Sequence, residues 1–200
     1  MGKARIAVLV SGGGTNLQAL FDAQTAGALK SGEICLVISN NPNAYALERA
    51  KRAEVEHKIV TKKEAGSQSA FEQQIMDLLD EKRIDVIVLA GFMSILSEHF
   101  TSHYPERILN VHPSLIPSFC GAGFYGLKVH EEALRYGVKV TGATVHFVNE
   151  IPDGGKIILQ KSVAIRKGDT PEVLQKRVMM QAEWKILPRA VEMVCKKYRK

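Results

Sequence analysis

Arg5-Ile6-Ala7-Val8-Leu9-Val10-Ser11-Gly12-Gly13-Gly14-Thr15-Asn16 decides the fold. The apolar run reads as a first strand, three glycines stop it, and a helix starts near Thr15 and runs toward Gly27. A glycine turn between a first strand and a first helix opens a βαβ unit, and backbone N–H groups at such a helix start favour an anion. A tight turn that merely lets helix and strand pack closely would use the same glycines.

Outward from this stretch the same alternation continues. Strands are expected at Arg5–Val10, Ile34–Ser39, His57–Val60, Asp85–Leu89 and Ile108–His112. Helices are expected at Ala44–Ala53, at Phe71–Lys82, whose Phe71, Ile75, Leu78 and Leu79 share a face, and at Glu98–Tyr104. Pro113 to Gly126 holds two prolines and three glycines and reads as a long loop, of the kind that is usually functional.

Beyond that loop come a helix around Val129–Tyr136 and strands Thr141–Val148 and Lys156–Val163, which the turn Pro152-Asp153-Gly154-Gly155 joins closely enough to pair antiparallel. A final helix opens at Asp169 or Thr170 with Pro171 in its first turn, and Pro188 is expected to kink or split it. The pattern predicts a Rossmann-like α/β fold over residues 1–200 as one domain: an open, mostly parallel sheet with helices on both faces and one antiparallel pair in the C-terminal half.

Composition narrows the partners. The 200 residues carry 27 Lys and Arg against 21 Asp and Glu, but Lys3, Arg5, Lys196, Lys197, Arg199 and Lys200 account for the whole excess of +6. The rest is balanced, which points to a small anionic substrate rather than nucleic acid. No apolar run approaches the roughly 20 residues of a membrane span. The three cysteines, Cys35, Cys120 and Cys195, are scattered without ligand spacing. Reduced thiols, and the absence of an export signal before Ile6, suggest a cytoplasmic protein.

The glycine loop lacks the third glycine of a dinucleotide fingerprint, since Leu17 stands there, and no Gly-Lys-Ser/Thr follows. A nicotinamide cofactor and a nucleoside-triphosphate loop are both disfavoured. Asn110-Val111-His112-Pro113-Ser114 ends a central strand. Asn110 and His112 share a face, and an amide donor beside an imidazole can hold a developing oxyanion. Asp153 is a candidate partner that would raise the His112 pKa, although Asp-Gly is also a common turn dipeptide. His146, in a Val/Phe strand, reads as a sheet residue rather than a metal ligand.

Together these motifs resemble the glycinamide ribonucleotide formyltransferases. The likeness comprises Val8 to Gln18, Leu89-Ala90-Gly91-Phe92-Met93, Asn110 to Pro117, Gly142 to Val148 and Pro152-Asp153-Gly154-Gly155. It implies transfer of a formyl group from 10-formyltetrahydrofolate, as cosubstrate, to the amine of phosphoribosylglycinamide, with no metal. It further implies that Gly14, Thr15 and Asn16 hold the phosphate and Glu183 faces the ribose. Asn110, His112 and Asp153 would be catalytic. Gln68, Met93, Ser94, Ile95 and Leu96, with Asn110 and the segment Asn149, Glu150, Ile151, Pro152 and Asp153, would form the folate site.

The sequence departs from the family pattern at Gln68 and Ser94, where arginine is common, and at Trp184, where histidine is. The loop Cys120–Lys128 is longer than in many members, and His130 matches a family histidine. Partners are expected to be small molecules, with no nucleic acid or membrane, for a monomer or homodimer. The rivals that use the same donor, methionyl-tRNA formyltransferase and formyltetrahydrofolate deformylase, are expected to need an additional domain. A non-catalytic phosphate-ester-binding module would explain the glycine loop but not Asn110, His112 and Asp153 together.

Overall fold

The computed structural model describes residues 2–199. Its strands are β1 (Ala4–Val10), β2 (Gly32–Ser39), β3 (Glu56–Ile59), β4 (Val86–Leu89), β5 (Ile108–His112), β6 (Val140–Phe147) and β7 (Ile157–Ala164). They form one seven-stranded sheet in the order β3-β2-β1-β4-β5-β6-β7. β1 to β5 run parallel, and β6 is the reversed strand, antiparallel to both β5 and β7. The chain leaves β1 toward β2 and β3 and returns to β4 on the other side of β1. A crevice therefore opens at the C-terminal ends of β1 and β4, the position where open α/β sheets bind ligands.

The helices are α1 (Thr15–Thr25), α2 (Tyr45–Arg52), α3 (Lys62–Ala65), α4 (Gln68–Glu81), α5 (Glu98–His103), α6 (Lys128–Tyr136), α7 (Pro171–Val178) and α8 (Trp184–Tyr198), with a π-helical turn Met179–Glu183 between α7 and α8. They cover both faces of the sheet, because its central strands β1 and β4 are apolar on both. Alternate residues point to opposite sides, so Ile6, Val8 and Val10 pack with Leu17 and Leu20 of α1 and Leu187 and Val191 of α8. Ala7 and Leu9 pack with Phe71, Ile75 and Leu79 of α4 and Phe100 of α5. Each fully buried Leu, Ile or Phe contributes about 1.5–3 kcal/mol. Among the described residues no helix is long and apolar enough to cross a membrane.

The structure differs from the sequence reading in the polar segments. α4 begins at Gln68, where Ser67 accepts a hydrogen bond from the Ala70 N–H, and α3 is a single turn capped by Thr61 and Glu64. Neither start carries an apolar stripe, so periodicity misses both. Thr170, not Asp169, caps α7, since Asp169 is engaged with Arg177. The last helical stretch is interrupted at Met179–Glu183 rather than at Pro188, which sits inside α8 without ending it. The break is a widened turn, and such turns are frequent at functional positions.

Candidate active site

The glycine loop joins β1 to α1. Gly14 is the N-cap of α1 in the left-handed conformation, at φ 71°. A Cβ there would lie 2.7 Å from the Ala46 Cβ and 2.9 Å from its Cα, so only glycine lets α2 approach. No side chain caps α1, and around Gly12 and Gly13 the space is open. The first N–H groups of a helix with no cap form an anion site. Arg49 of α2 adds a cation, its Nε donating to the Gly13 carbonyl at 2.8 Å and one terminal nitrogen to Gln18 at 3.0 Å.

Asn16 and Glu183 meet behind this loop, with the Asn16 amide donating to the Glu183 carboxylate at 2.7 Å. The π-turn delivers Glu183 across 167 residues of sequence separation. Burial pushes its pKa up to about 7 against the opposing effect of the Asn16 hydrogen bond. The Asn16 amide oxygen is buried without a partner. Both groups thus hold unspent hydrogen-bonding capacity next to the anion site.

At the end of β5, the sheet brings Asn110 and His112 to one face, and the turn after β6 adds Asp153. Asp153 takes φ 57°, tolerable for a short polar side chain. Gly155 fixes the turn against the sheet, because a Cβ there would lie 1.8 Å from the Phe147 carbonyl oxygen. The Asp153 carboxylate lies 3.4 Å from His112 Nδ1 and 3.5 Å from His146 Nε2, and the Asn110 amide donates to it at 3.4 Å. His112 Nε2 lies 2.9 Å from the Phe119 carbonyl, which only an N–H can satisfy. Gly121 N–H donates to Asp153 at 2.9 Å. The 113–127 loop thus occupies a hydrogen-bonding position on both His112 and Asp153.

Expectation and structure part over His112. Asp153 and the Phe119 carbonyl do favour its charged form, but burial outweighs them and, with His146, holds its pKa below the usual value. Burial works against the Asp153 charge as well. There the His146 hydrogen bond, His112 and the Gly121 N–H prevail, and its pKa is lowered. The resting pair is therefore a neutral imidazole beside a carboxylate. Protonating Nδ1 converts it to an ion pair.

His146 is the residue that sequence reading left as a sheet member. Its Nδ1 lies 2.7 Å from the Phe147 carbonyl, and its Nε2 lies 3.2 Å from the Asn110 amide nitrogen and 3.5 Å from the Asp153 carboxylate. The register that pairs Asn110 with His146 across β5 and β6 places it there, and nothing in the spacing of those strands announces that register. Arg49 was missed for a similar reason: its helix lies a whole β-α unit from the loop it touches. His130 is fully buried, and neither ring nitrogen has a partner. Burial, followed by the His112 charge, takes its pKa down to about 4.

A cleft of about 130 Å3 adjoins the cluster, lined by Ser94, Ile95, Leu96, Asn110, His146 and the whole Asn149–Asp153 segment, with Phe92 and Val148. Gln68 and Met93 lie outside this lining. The Gln68 amide donates to Glu72 at 2.6 Å and to the Ile95 carbonyl at 3.1 Å, tying down the loop that forms one wall. The Met93 N–H donates to Ser11 Oγ at 2.8 Å, which joins the cleft wall to the glycine loop. Ser94 accepts from Asn40 at 2.8 Å. Among the described residues no three His, Cys, Asp or Glu side chains group as a metal site.

An uncapped helix start suited to an anion and an amide–imidazole–carboxylate cluster suited to acyl chemistry stand on the same edge of the sheet. Residues 4–191 match the formyl transferase family model, and the chain belongs to that family. It is 40% identical over 188 residues to phosphoribosylglycinamide formyltransferase of Haemophilus influenzae, covering 94% of this chain and 85% of that protein. It is 45% identical over 192 residues to the trifunctional purine biosynthetic protein adenosine-3 of Homo sapiens; that match covers 96% of this chain but 18% of the relative. Among solved structures, glycinamide ribonucleotide transformylase 1 from Symbiobacterium toebii superposes with a TM-score of 0.91 at 40% identity, covering 98% of this chain and 89% of that one.

Proposed function

We propose that this chain transfers the formyl group of 10-formyltetrahydrofolate to the amine of phosphoribosylglycinamide, giving formylated glycinamide ribonucleotide and tetrahydrofolate. The observation that carries this reading is the convergence of Asn110, His112 and Asp153 on the same sheet edge as an uncapped glycine-loop helix. Likeness to the bacterial phosphoribosylglycinamide formyltransferases over most of both chains supports it.

The folate supplies the formyl group as a second substrate. Gly14, Thr15 and Asn16 bind the phosphate through the first N–H groups of α1, with Arg49 adding charge. Glu183 accepts from the ribose hydroxyls, which would also give the buried Asn16 oxygen a partner. Asn110 donates its amide to the formyl oxygen as negative charge gathers there. His112, protonated on Nδ1 against Asp153, presents its Nε2 proton to the same centre, and the pair can hold or release that proton. This requires the Phe119 carbonyl to withdraw from Nε2, the position a substrate oxygen would take.

Ile95, Leu96, Ser94 and the Asn149–Asp153 segment form the walls for the folate, with Met93 at the rim and Gln68 bracing the loop. A cleft of about 130 Å3 is below the roughly 300–1,000 Å3 of usual small-molecule sites, so these walls part when the donor enters. Every group named comes from one chain, and the substrates are small molecules. The three unpaired cysteines suit a reducing cytoplasm.

Purified protein given both substrates is expected to yield formylated product and tetrahydrofolate in equal amounts. Formate release from the donor at the same rate without the amine substrate would overturn the assignment in favour of a deformylase.

A further inference from the structure

A groove larger than the cleft at the His112 cluster lies elsewhere on the molecule. It is a channel of about 740 Å3 between the outward faces of α1 and α8, beginning at Thr15 and running away from the phosphate loop. Its construction follows from helical spacing. Ala19 and Ala23 on one stripe of α1, with Ala26 at its C-cap, leave a slot, while Trp184, Pro188 and Met193 form the facing wall on α8. A surface that merely closes over the core would fill such a slot with larger side chains.

Polar groups along the groove are unevenly spent. The Glu192 carboxylate is taken by the Lys30 and Ser31 N–H groups and the Ser31 hydroxyl, and Asp22 accepts from Gln18. Lys185 and Arg189, one helical turn apart on the α8 wall, have no carboxylate within ion-pair distance among the described residues. Trp184 lines the groove, while its indole N–H is buried and out of reach of a ligand there. An aromatic wall, a floor of alanines and two free cations side by side are complementary to one kind of molecule.

We propose that this groove, which adjoins the phosphate loop at Thr15 and Arg49 and lies apart from the folate cleft, is a second ligand site, and that it takes an anion with a flat aromatic body, of which a purine nucleoside monophosphate is the representative. The aromatic ring lies in the alanine slot against Trp184, and Lys185 and Arg189 bind the anionic group. The assignment is independent of the formyl-transfer reading, because none of these contacts involves Asn110, His112 or Asp153.

Trp184 is the chain's single tryptophan, so its fluorescence reads the site directly. Titration with adenosine 5′-monophosphate is expected to give a saturable change. Adenosine should bind about tenfold more weakly, the worth of a charge-assisted contact, and inorganic phosphate alone should leave the signal unmoved. The double variant Lys185→Ala/Arg189→Ala should bring the monophosphate down to the affinity of adenosine. Ala23→Phe, which fills the slot, should abolish both responses. The proposal is overturned if neither probe gives a saturable change at millimolar concentration. It is equally overturned if the response survives the double variant but disappears in Asn16→Ala, which places the nucleotide in the phosphate loop. Sedimentation showing a dimer that Ala23→Phe breaks, with no nucleotide response, would make this face a contact between copies instead.

Discussion

The glycine loop after β1 and the His112 cluster after β5 lie on the same edge of one sheet and are built in opposite ways. At the loop, hydrogen-bonding capacity is left over: α1 has no side-chain cap, Gly12 and Gly13 face open space, and Asn16 keeps a buried oxygen unpartnered. At the cluster it is used up, since the Phe119 carbonyl holds His112 and the Gly121 N–H holds Asp153. A preformed, open site can bind at once. A filled site must first exchange protein partners for substrate, and in doing so keeps water away from a neutral imidazole until substrate arrives. Under the proposed function, the contrast gives binding to the first region and chemistry to the second.

The largest effects should therefore come from the cluster and fall on kcat. His112→Ala is expected to lose about 100- to 10,000-fold in kcat, and Asn110→Ala about 100- to 1,000-fold, with circular dichroism and thermal midpoint close to the parent. Asn16→Ala should act mainly on KM for the phosphorylated substrate. If Asn16→Ala lowers kcat as far as His112→Ala does while KM stays fixed, the division between the two regions fails.

Next in size is a stability effect at the loop. The Glu183 pKa rises from 4.5 to about 7 on folding, so the native state keeps a proton that the unfolded chain releases between those values. The stability this confers is fully present below pH 4.5 and falls as pH rises to about 7, by roughly 3 kcal/mol in all. Glu183→Gln removes that titration. Chemical denaturation at pH 5 and pH 8 should show a parent-minus-variant difference that moves against the parent at the higher pH. A difference independent of pH would show that the carboxyl is already ionised when folded.

Much of this contrast was legible in the sequence, and the missing parts share a cause. The strands were readable because β1 and β4 are apolar on both faces, β5 is apolar on one, and all three are bounded by glycine or proline. Asn110 and His112 were readable because both sit on one strand with a spacing of two. His146 and Arg49 were not, since each reaches its site through a register or a helix packing that no local pattern encodes. The direction of the His112 shift was misjudged because a sequence shows the carboxylate partner and not the depth of burial that outweighs it. The loop carbonyl on His112 belongs to backbone geometry, on which residue identity at Phe119 is silent.

Gly14 tests how strictly the open loop is preformed. Gly14→Ala combines a left-handed backbone with a Cβ placed 2.7 Å from Ala46, and should cost about 1–3 kcal/mol from the backbone alone. Because α2 must shift to accommodate it, Arg49 moves with it, and affinity for the phosphorylated substrate should fall together with stability. A variant that loses stability yet binds that substrate normally would show that the loop adapts to its ligand and is not preformed.

The smallest expected effect probes the filled region. Phe119 packs edge-on against Tyr136, with ring centroids 6.0 Å apart, while Tyr136 itself is 76% exposed. Tyr136→Ala removes an aromatic pair worth about 0.5–1.5 kcal/mol and little else. If the Phe119 carbonyl is a partner that substrate displaces, loosening its ring favours the displaced state, and kcat/KM for the formyl donor should rise by up to about tenfold. If the same substitution lowers kcat/KM, the loop holds His112 in its working geometry rather than in a resting one. The open and filled regions would then differ in what completes them and not in readiness.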